Sequence, residues 1–272
     1  MNVFRAWVGA VTLFTLLYIP AKAISQAFAD APVSGFMETF HDSHWSKRWT
    51  VAHYDRQGSF ATGWRPRLAS VVLPARSRLG GFLSLELEPA QNNTEKPFLG
   101  AEVHTGSVHY GRYEVVMQPT RGDGLVSAFF TYTGPWFGDP HDEIDFEFLG
   151  RDTTKVWLNL FAAGDRLHGK WVDLGFDAAA APRLYRFDWR PESVTWYANE
   201  RELLNITSDI HAIPATPSKV YLQIWAGNEK MHQWLKLPDP DAAGNMQVYC
   251  VSYRPFDDEG PECHDYMAQQ NE

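Results

Sequence analysis

The sequence predicts an all-β protein, an antiparallel sandwich of two large sheets in one domain of a 272-residue chain. Three observations predict it. Short segments that alternate apolar with polar residues recur along the chain, each bounded by Gly, Pro or Asn. β-branched and aromatic residues fill them, and aromatics alone make up 14% of the chain, which suits a pleated, half-buried surface. A sustained 3.6-residue period is missing, so no helices intervene to carry the chain between parallel strands.

In chain order, "GGFLSLELEP" (80–89) sets Leu83, Leu85 and Leu87 against Phe82, Ser84, Glu86 and Glu88. "YGRYEVVMQP" (110–119), "LVSAFFTYTG" (125–134), "PHDEIDFEFLG" (140–150) and "KVWLNLFAAG" (155–164) follow. "YRFDWRP" (185–191), "SVTWYANERELLNI" (193–206), "KVYLQIWAG" (219–227) and "MQVYCVSYRPF" (246–256) complete the set. Only "FDAAAAPRL" hints at a helical turn. So many strands overfill a small barrel, hence two sheets. No repeat and no Pro/Gly/Ser linker divides residues 32–256, which read as a single domain, and residues 257–272 read as a polar tail.

The first 29 residues read as an export leader. Arg5 supplies the positive start, Ala6 to Ile19 is nearly all apolar, and small residues place cleavage after Ala23 or Ala29. The apolar run is shorter than the ~20 residues a membrane span needs, although an uncleaved anchor is the alternative. A secreted or periplasmic protein without stable membrane association is expected. Cys250 and Cys263 are the only cysteines. Outside the cytoplasm they can form one local disulfide, and two alone cannot build a thiolate metal site. A net charge of −9 with no basic run excludes nucleic acid as a partner. The ten histidines form no His-x-His or His-Glu-x-x-His pattern, so no metal centre is expected from them.

The unusual segment is 140–150. As a strand it puts Glu143, Asp145 and Glu147 on one face and Ile144, Phe146 and Phe148 on the other. A helix would scatter the apolar three. The outer alpha carbons would lie ~13 Å apart. Glutamates leaning inward would bring their carboxyls to ~5–6 Å, the spacing of a retaining glycosidase. Three neighbouring carboxyls cannot all ionise cheaply, so at least one keeps its proton near neutral pH. A glycosidase needs that split between an ionised nucleophile and a protonated acid. The rival readings are a solvated acidic face or a calcium site, though calcium usually draws its ligands from loops.

"HDEIDFEFLG" resembles the active-site strand of glycoside hydrolase family 16, Glu-x-Asp-x-Glu. "GLVSAFFTYTGP", "RDTTKV", "DLGFDAAAA", "FDWRPESVTWYANE" and "IPATPSKVYLQIWAG" are similar to its bacterial lichenase branch, over roughly residues 80–254. The resemblance implies a concanavalin-like β-jelly-roll sandwich with a concave substrate cleft. It implies Glu143 as nucleophile, Glu147 as acid/base and Asp145 as the residue that tunes the pair. Implied sugar contacts are Glu102, His104, Phe130, Tyr132, His141, Asn159, Phe161, Gln223 and Trp225, since flat rings stack on sugars and amides or carboxylates read hydroxyls. Lichenases usually carry Trp where this chain has His141. "HDEIDFE" instead resembles succinoglycan depolymerases and plant xyloglucan endotransglycosylases of the same family. The family's structural calcium uses an Asp near the C-terminus, where this chain has Tyr249, so no cofactor is expected. The expected function is a monomeric, retaining endo-β-glycosidase acting on 1,3-1,4-β-glucan or a related β-linked polysaccharide. The alternatives are a depolymerase of the cell's own exopolysaccharide, such as succinoglycan, and a non-catalytic carbohydrate-binding sandwich.

Overall fold

Two stacked sheets bury the apolar side of every long segment named above. A computed structural model describes residues 34–42, 45–55, 58, 60–91 and 95–270, and the expected leader lies outside the described residues. Residues 34–272 form one compact unit. The seven-stranded sheet runs Asp165–Asp173, Lys155–Ala162, Asp142–Leu149, Leu125–Thr133, Ser218–Ala226, Glu102–Val108 and Thr50–Val51. The larger sheet has as its spine Arg201–Thr207, Ser193–Ala198, Arg183–Arg190, Gly111–Gln118, Gly244–Arg254 and Phe82–Pro89. It continues through Phe98–Gly100, Thr62–Trp64 and Tyr54–Asp55, while Phe36–Thr39 and Ala69–Val72 pair with Gly244–Arg254 and Phe82–Pro89. Pairing is antiparallel as expected, apart from a short parallel contact between Thr62–Trp64 and Phe98–Gly100. Among the described residues, no helix is long and apolar enough to cross a membrane.

Turn chemistry explains where the strands depart from expectation. "SVTWYANERELLNI" is two strands, because Ala198 pairs with Arg201 across a two-residue turn. Asn199 takes φ 51° there, a left-handed conformation that Asn tolerates. The chain likewise reverses after Ala162 at Ala163 and Gly164, with φ 51° and 86°. A type I′ hairpin turn requires positive φ at both central residues, and this one launches the unexpected strand Asp165–Asp173. The helical hint at "FDAAAAPRL" becomes a single 3-10 turn, Ala178–Ala180, which Asp177 caps by accepting from the Ala179 N–H at 3.0 Å.

The core forms where the sheets face each other. Ile144, Phe146 and Phe148 are fully buried, and Phe146 and Phe148 pack against Tyr185 of the opposite sheet at centroid distances of 5.8 and 4.6 Å. Burying each such side chain stabilises the fold by about 1.5–3 kcal/mol. Trp196, also fully buried, donates its indole N–H to the backbone carbonyl of Asp145 at 3.1 Å. The acidic strand is thus pinned from the larger sheet in position and in register.

Residues 257–272 are less of a free polar tail than their composition predicts. Cys263–Gln269 is a short helix opened by a reciprocal cap between Glu262 and Asp265. Its Cys263 and Tyr266 are buried against Val116, Leu184, Tyr249 and Cys250 on the larger sheet, and a disulfide joins Cys250 to Cys263. The Tyr249 ring packs on Phe82 at 5.3 Å and its hydroxyl donates to Gln247 at 2.7 Å.

Replacing both cysteines by alanine should free the helix. Closing a 13-residue separation constrains the unfolded chain by on the order of 3 kcal/mol. A melting curve should show Tm lowered by roughly 6–12 °C for a domain of this size, with activity at 25 °C largely kept.

Candidate active site

The pleat carries the acidic strand's polar face into a lattice of cross-strand neighbours. Glu143 lies between Tyr132 and Phe161, Asp145 between Phe130 and Asn159, and Glu147 between Ala128 and Trp157. Ala128 continues to Gln223 and then Glu102, and Phe130 to Tyr221 and then His104. Because side chains alternate faces, residues directly opposite one another share a face. The three carboxyl side chains line one cavity together with Phe130, Tyr132, Asn159, Phe161, Gln223 and Trp225.

Three further expected contacts border that cavity. Glu102 is buried on the cavity face next to Gln223, where it accepts from the Tyr54 hydroxyl at 2.8 Å. His104 is half-buried with its ring against Tyr221 at 5.0 Å, and burial, opposed by its bond to the Thr105 carbonyl, holds its pKa below the ordinary value. His141 stands beside the cavity, its Nε2 2.5 Å from Glu143 Oε2. Cys250 lies on the opposite sheet and Cys263 opens the helix packed against it.

The structure adds residues that the sequence did not single out. Arg166 is the register partner of Phe161, and its Nε donates to Asn159 Oδ1 at 3.4 Å, which places a cation on the cavity wall. Phe60, Met231 and Trp234 extend the aromatic side around Trp225, with centroid distances of 4.6 Å for Phe60–Trp225 and 6.3 Å for Trp225–Trp234. The Ala163–Gly164 turn that brings Arg166 in carries no Asn-Gly or Asp-Gly signature, so little in the sequence marked it.

The fourth acid of the motif does a different job. Asp142 points away from the cavity and is buried. It accepts from the backbone N–H groups of Ala163, Ala215 and Thr216 at 2.6, 2.9 and 2.9 Å. It ties two loops to the start of the acidic strand.

Crowding splits the trio by protonation. Burial and the charges of Glu143 and Glu147 push Asp145 well above the ordinary carboxylate range, and it donates its proton toward Glu143. Burial, then the charge of Glu143, push Glu147 up to about 8, partly offset by Arg166. Near neutral pH Asp145 and Glu147 therefore keep their protons. A protonated acid, Glu147, thus stands in register with a second outer carboxyl, Glu143, on a groove walled by aromatic rings, a pairing that suits glycosidic bond cleavage.

A β-sandwich with such a groove defines a carbohydrate-cleaving enzyme. The profile of Glycosyl hydrolases family 16 matches residues 84–239, and the chain belongs to that family of glycoside hydrolases. It is 39% identical over 225 residues to the beta-glucanase of Bacillus subtilis (strain 168), covering 82% of this chain and 87% of that one. Identity to the Bacillus amyloliquefaciens beta-glucanase is 37% over 224 residues, covering 82% and 88%. The fold superposes with a TM-score of 0.73 and 33% identity on a beta-1,3-1,4-glucanase (lichenase) from a mouse hindgut metagenome, covering 82% of this chain and 100% of that one. The score is 0.72, at 35% identity, for the beta-glucanase of Bacillus licheniformis, covering 82% and 98%.

A raised carboxyl pKa has two consequences of known sign. The folded state binds the Glu147 proton more tightly than the unfolded chain does, whose reference value is 4.5. Its contribution to stability is full below that value and is lost as pH rises through about 8. Glucan turnover should fall over the same alkaline limb as the acid ionises. Glu147→Gln should flatten the stability decline between pH 5 and 9 in urea titrations; an unchanged decline would place the proton elsewhere.

Proposed function

We propose that this chain is an exported, retaining endo-β-glucanase that cleaves mixed-linkage 1,3-1,4-β-glucan by double displacement. The observation that carries the reading is the trio Glu143, Asp145 and Glu147 in cross-strand register along one cavity, with protons held on the inner and one outer member. Glu147 donates its proton to the leaving glycosidic oxygen while Glu143 attacks the anomeric carbon, giving a covalent glycosyl-enzyme. Glu147, now ionised, takes a proton from water, which releases the sugar with its β configuration restored. Asp145 donates to Glu143 while it is charged, and so favours the anion before attack. Phe130, Tyr132, Phe161 and Trp225 offer ring faces or edges to the sugars, and Asn159, Gln223 and Arg166 offer hydrogen bonds.

The beta-glucanase names of the Bacillus relatives support the substrate class. Arg166 on the cavity wall favours a second reading, in which the polymer carries acidic substituents, as an exopolysaccharide can. Reducing-end release from 1,3-1,4-β-glucan, set beside release from an acidic exopolysaccharide, separates the two. Proton NMR of the first products should show the β anomer; an α anomer would overturn double displacement.

Glu143→Ala should abolish turnover on glucan. Glu147→Ala should lose about 10²–10⁴-fold on glucan but far less on an aryl glycoside whose leaving group departs without a proton. Equal losses on the two substrates would show that Glu147 is not the acid.

A further inference from the structure

His141 stands one residue ahead of the acidic strand, and its surroundings are built around a single carboxylate. Its Nε2 is 2.5 Å from Glu143 Oε2. Its ring lies face to face with Phe161 at 4.2 Å and 14°, and meets Tyr132 edge-on at 5.3 Å and 79°. Phe161 and Tyr132 are the two cross-strand neighbours of Glu143 itself. The backbone is held as well, because the His141 carbonyl accepts from the Gly164 N–H at 2.8 Å. Turning the imidazole would break the stack and the hydrogen bond together. The ring packs against two side chains that line the cavity and meets the Glu143 carboxyl directly.

We propose that His141 is a positioning residue for the nucleophile. Its Nε2–H donates to Glu143 and holds the carboxylate at one rotation. That torsion needs holding, since the terminal torsion of a glutamate is broad and roughly two-fold, not confined to narrow wells. Asp145 supplies a second donor from within the strand. With both donors in place, the attacking oxygen is kept at one position and angle before the sugar arrives. Misplacing a reacting group by about 1 Å can cost on the order of 10²-fold in rate.

The inference rests on Glu143 being the nucleophile, and one set of variants tests both statements separately. The probe is a dinitrophenyl β-gluco-oligosaccharide bearing fluorine beside the anomeric carbon. The bond from Glu143 oxygen to the anomeric carbon forms as the aryl–oxygen bond to that carbon breaks. Dinitrophenolate leaves with the electron pair, so no proton from Glu147 is needed, and the fluorine slows release enough to trap the adduct.

His141→Phe keeps a ring on Phe161 and removes the donor. It should slow trapping about 10–100-fold and lower kcat on glucan by a similar factor, with KM changed by less than about 3-fold. His141→Gln returns an N–H near the Nε2 position and should recover most of the trapping rate. A His141→Phe variant that raises KM while trapping at the native rate would overturn the proposal, making His141 a sugar contact. A His141→Gln variant as slow as His141→Phe would overturn it too, since ring packing would then be what matters. Trapping that persists in Glu143→Ala would remove the nucleophile reading itself.

Discussion

Everything in the cleft depends on one apolar ridge, Ile144, Phe146 and Phe148, locked between the two sheets. All three are fully buried; Phe146 packs on Phe129, Tyr185 and Phe187, and Phe148 on Tyr185. A strand repeats every two residues, so a slip of one position would turn the ridge outward and drive three carboxyls into the core. Burying even one unpaired ion costs several kcal/mol. The register is therefore enforced from both sides, by what the ridge gains in the core and by what the acids would lose there. The Trp196 indole bond to the Asp145 carbonyl adds a polar pin at the centre of the motif.

The same enforcement makes the cleft chemically active. Because the acids cannot move apart, burial and mutual repulsion favour protons on Asp145, only 3% exposed, and on Glu147. Arg166 and Asn159 temper the effect without cancelling it. Local instability of this kind is common where function is stored, and here the surrounding sandwich sustains it. The aromatic wall of Phe60, Trp225 and Trp234 sits on the same groove. One face thus supplies the reacting groups and the surface that orients a polymer over them.

Period-two alternation revealed most of the fold, because each long strand must choose a buried side. The two-sheet class and the acidic strand followed from that pattern alone. Strand Asp165–Asp173 escaped because its turn, Ala163–Gly164, lacks the Asn-Gly or Asp-Gly signature of most such hairpins. Short pieces such as Thr50–Val51 and Tyr54–Asp55 carry too few residues to show any period. The helix Cys263–Gln269 escaped for another reason: its burial depends on Cys250, which is distant in pattern though close in the fold.

Within the site, in-strand residues were readable and connecting residues were not. Arg166 arrives by hairpin register, Met231 and Trp234 by a short helical turn after the strand Ser218–Ala226. His141 was noticed as a departure from the family pattern and assigned to the sugar. Its partner is decided by ring stacking, which no one-dimensional spacing encodes. Glu102 and His104 share the correct face, but the Tyr54 hydroxyl and the Tyr221 ring, respectively, occupy them.

Asp142 shows how little residue type says about duty. It is chemically the twin of Asp145 and sits three positions away, yet it holds Ala163, Ala215 and Thr216 in place instead of facing the groove. A mutational scan scored only by sugar released would rank it beside the reacting acids. Scored by the amount of intact protein, it would instead group with the interior aromatics. The motif therefore records two selective pressures in adjacent letters, one on turnover and one on architecture, and only the direction of each side chain tells them apart.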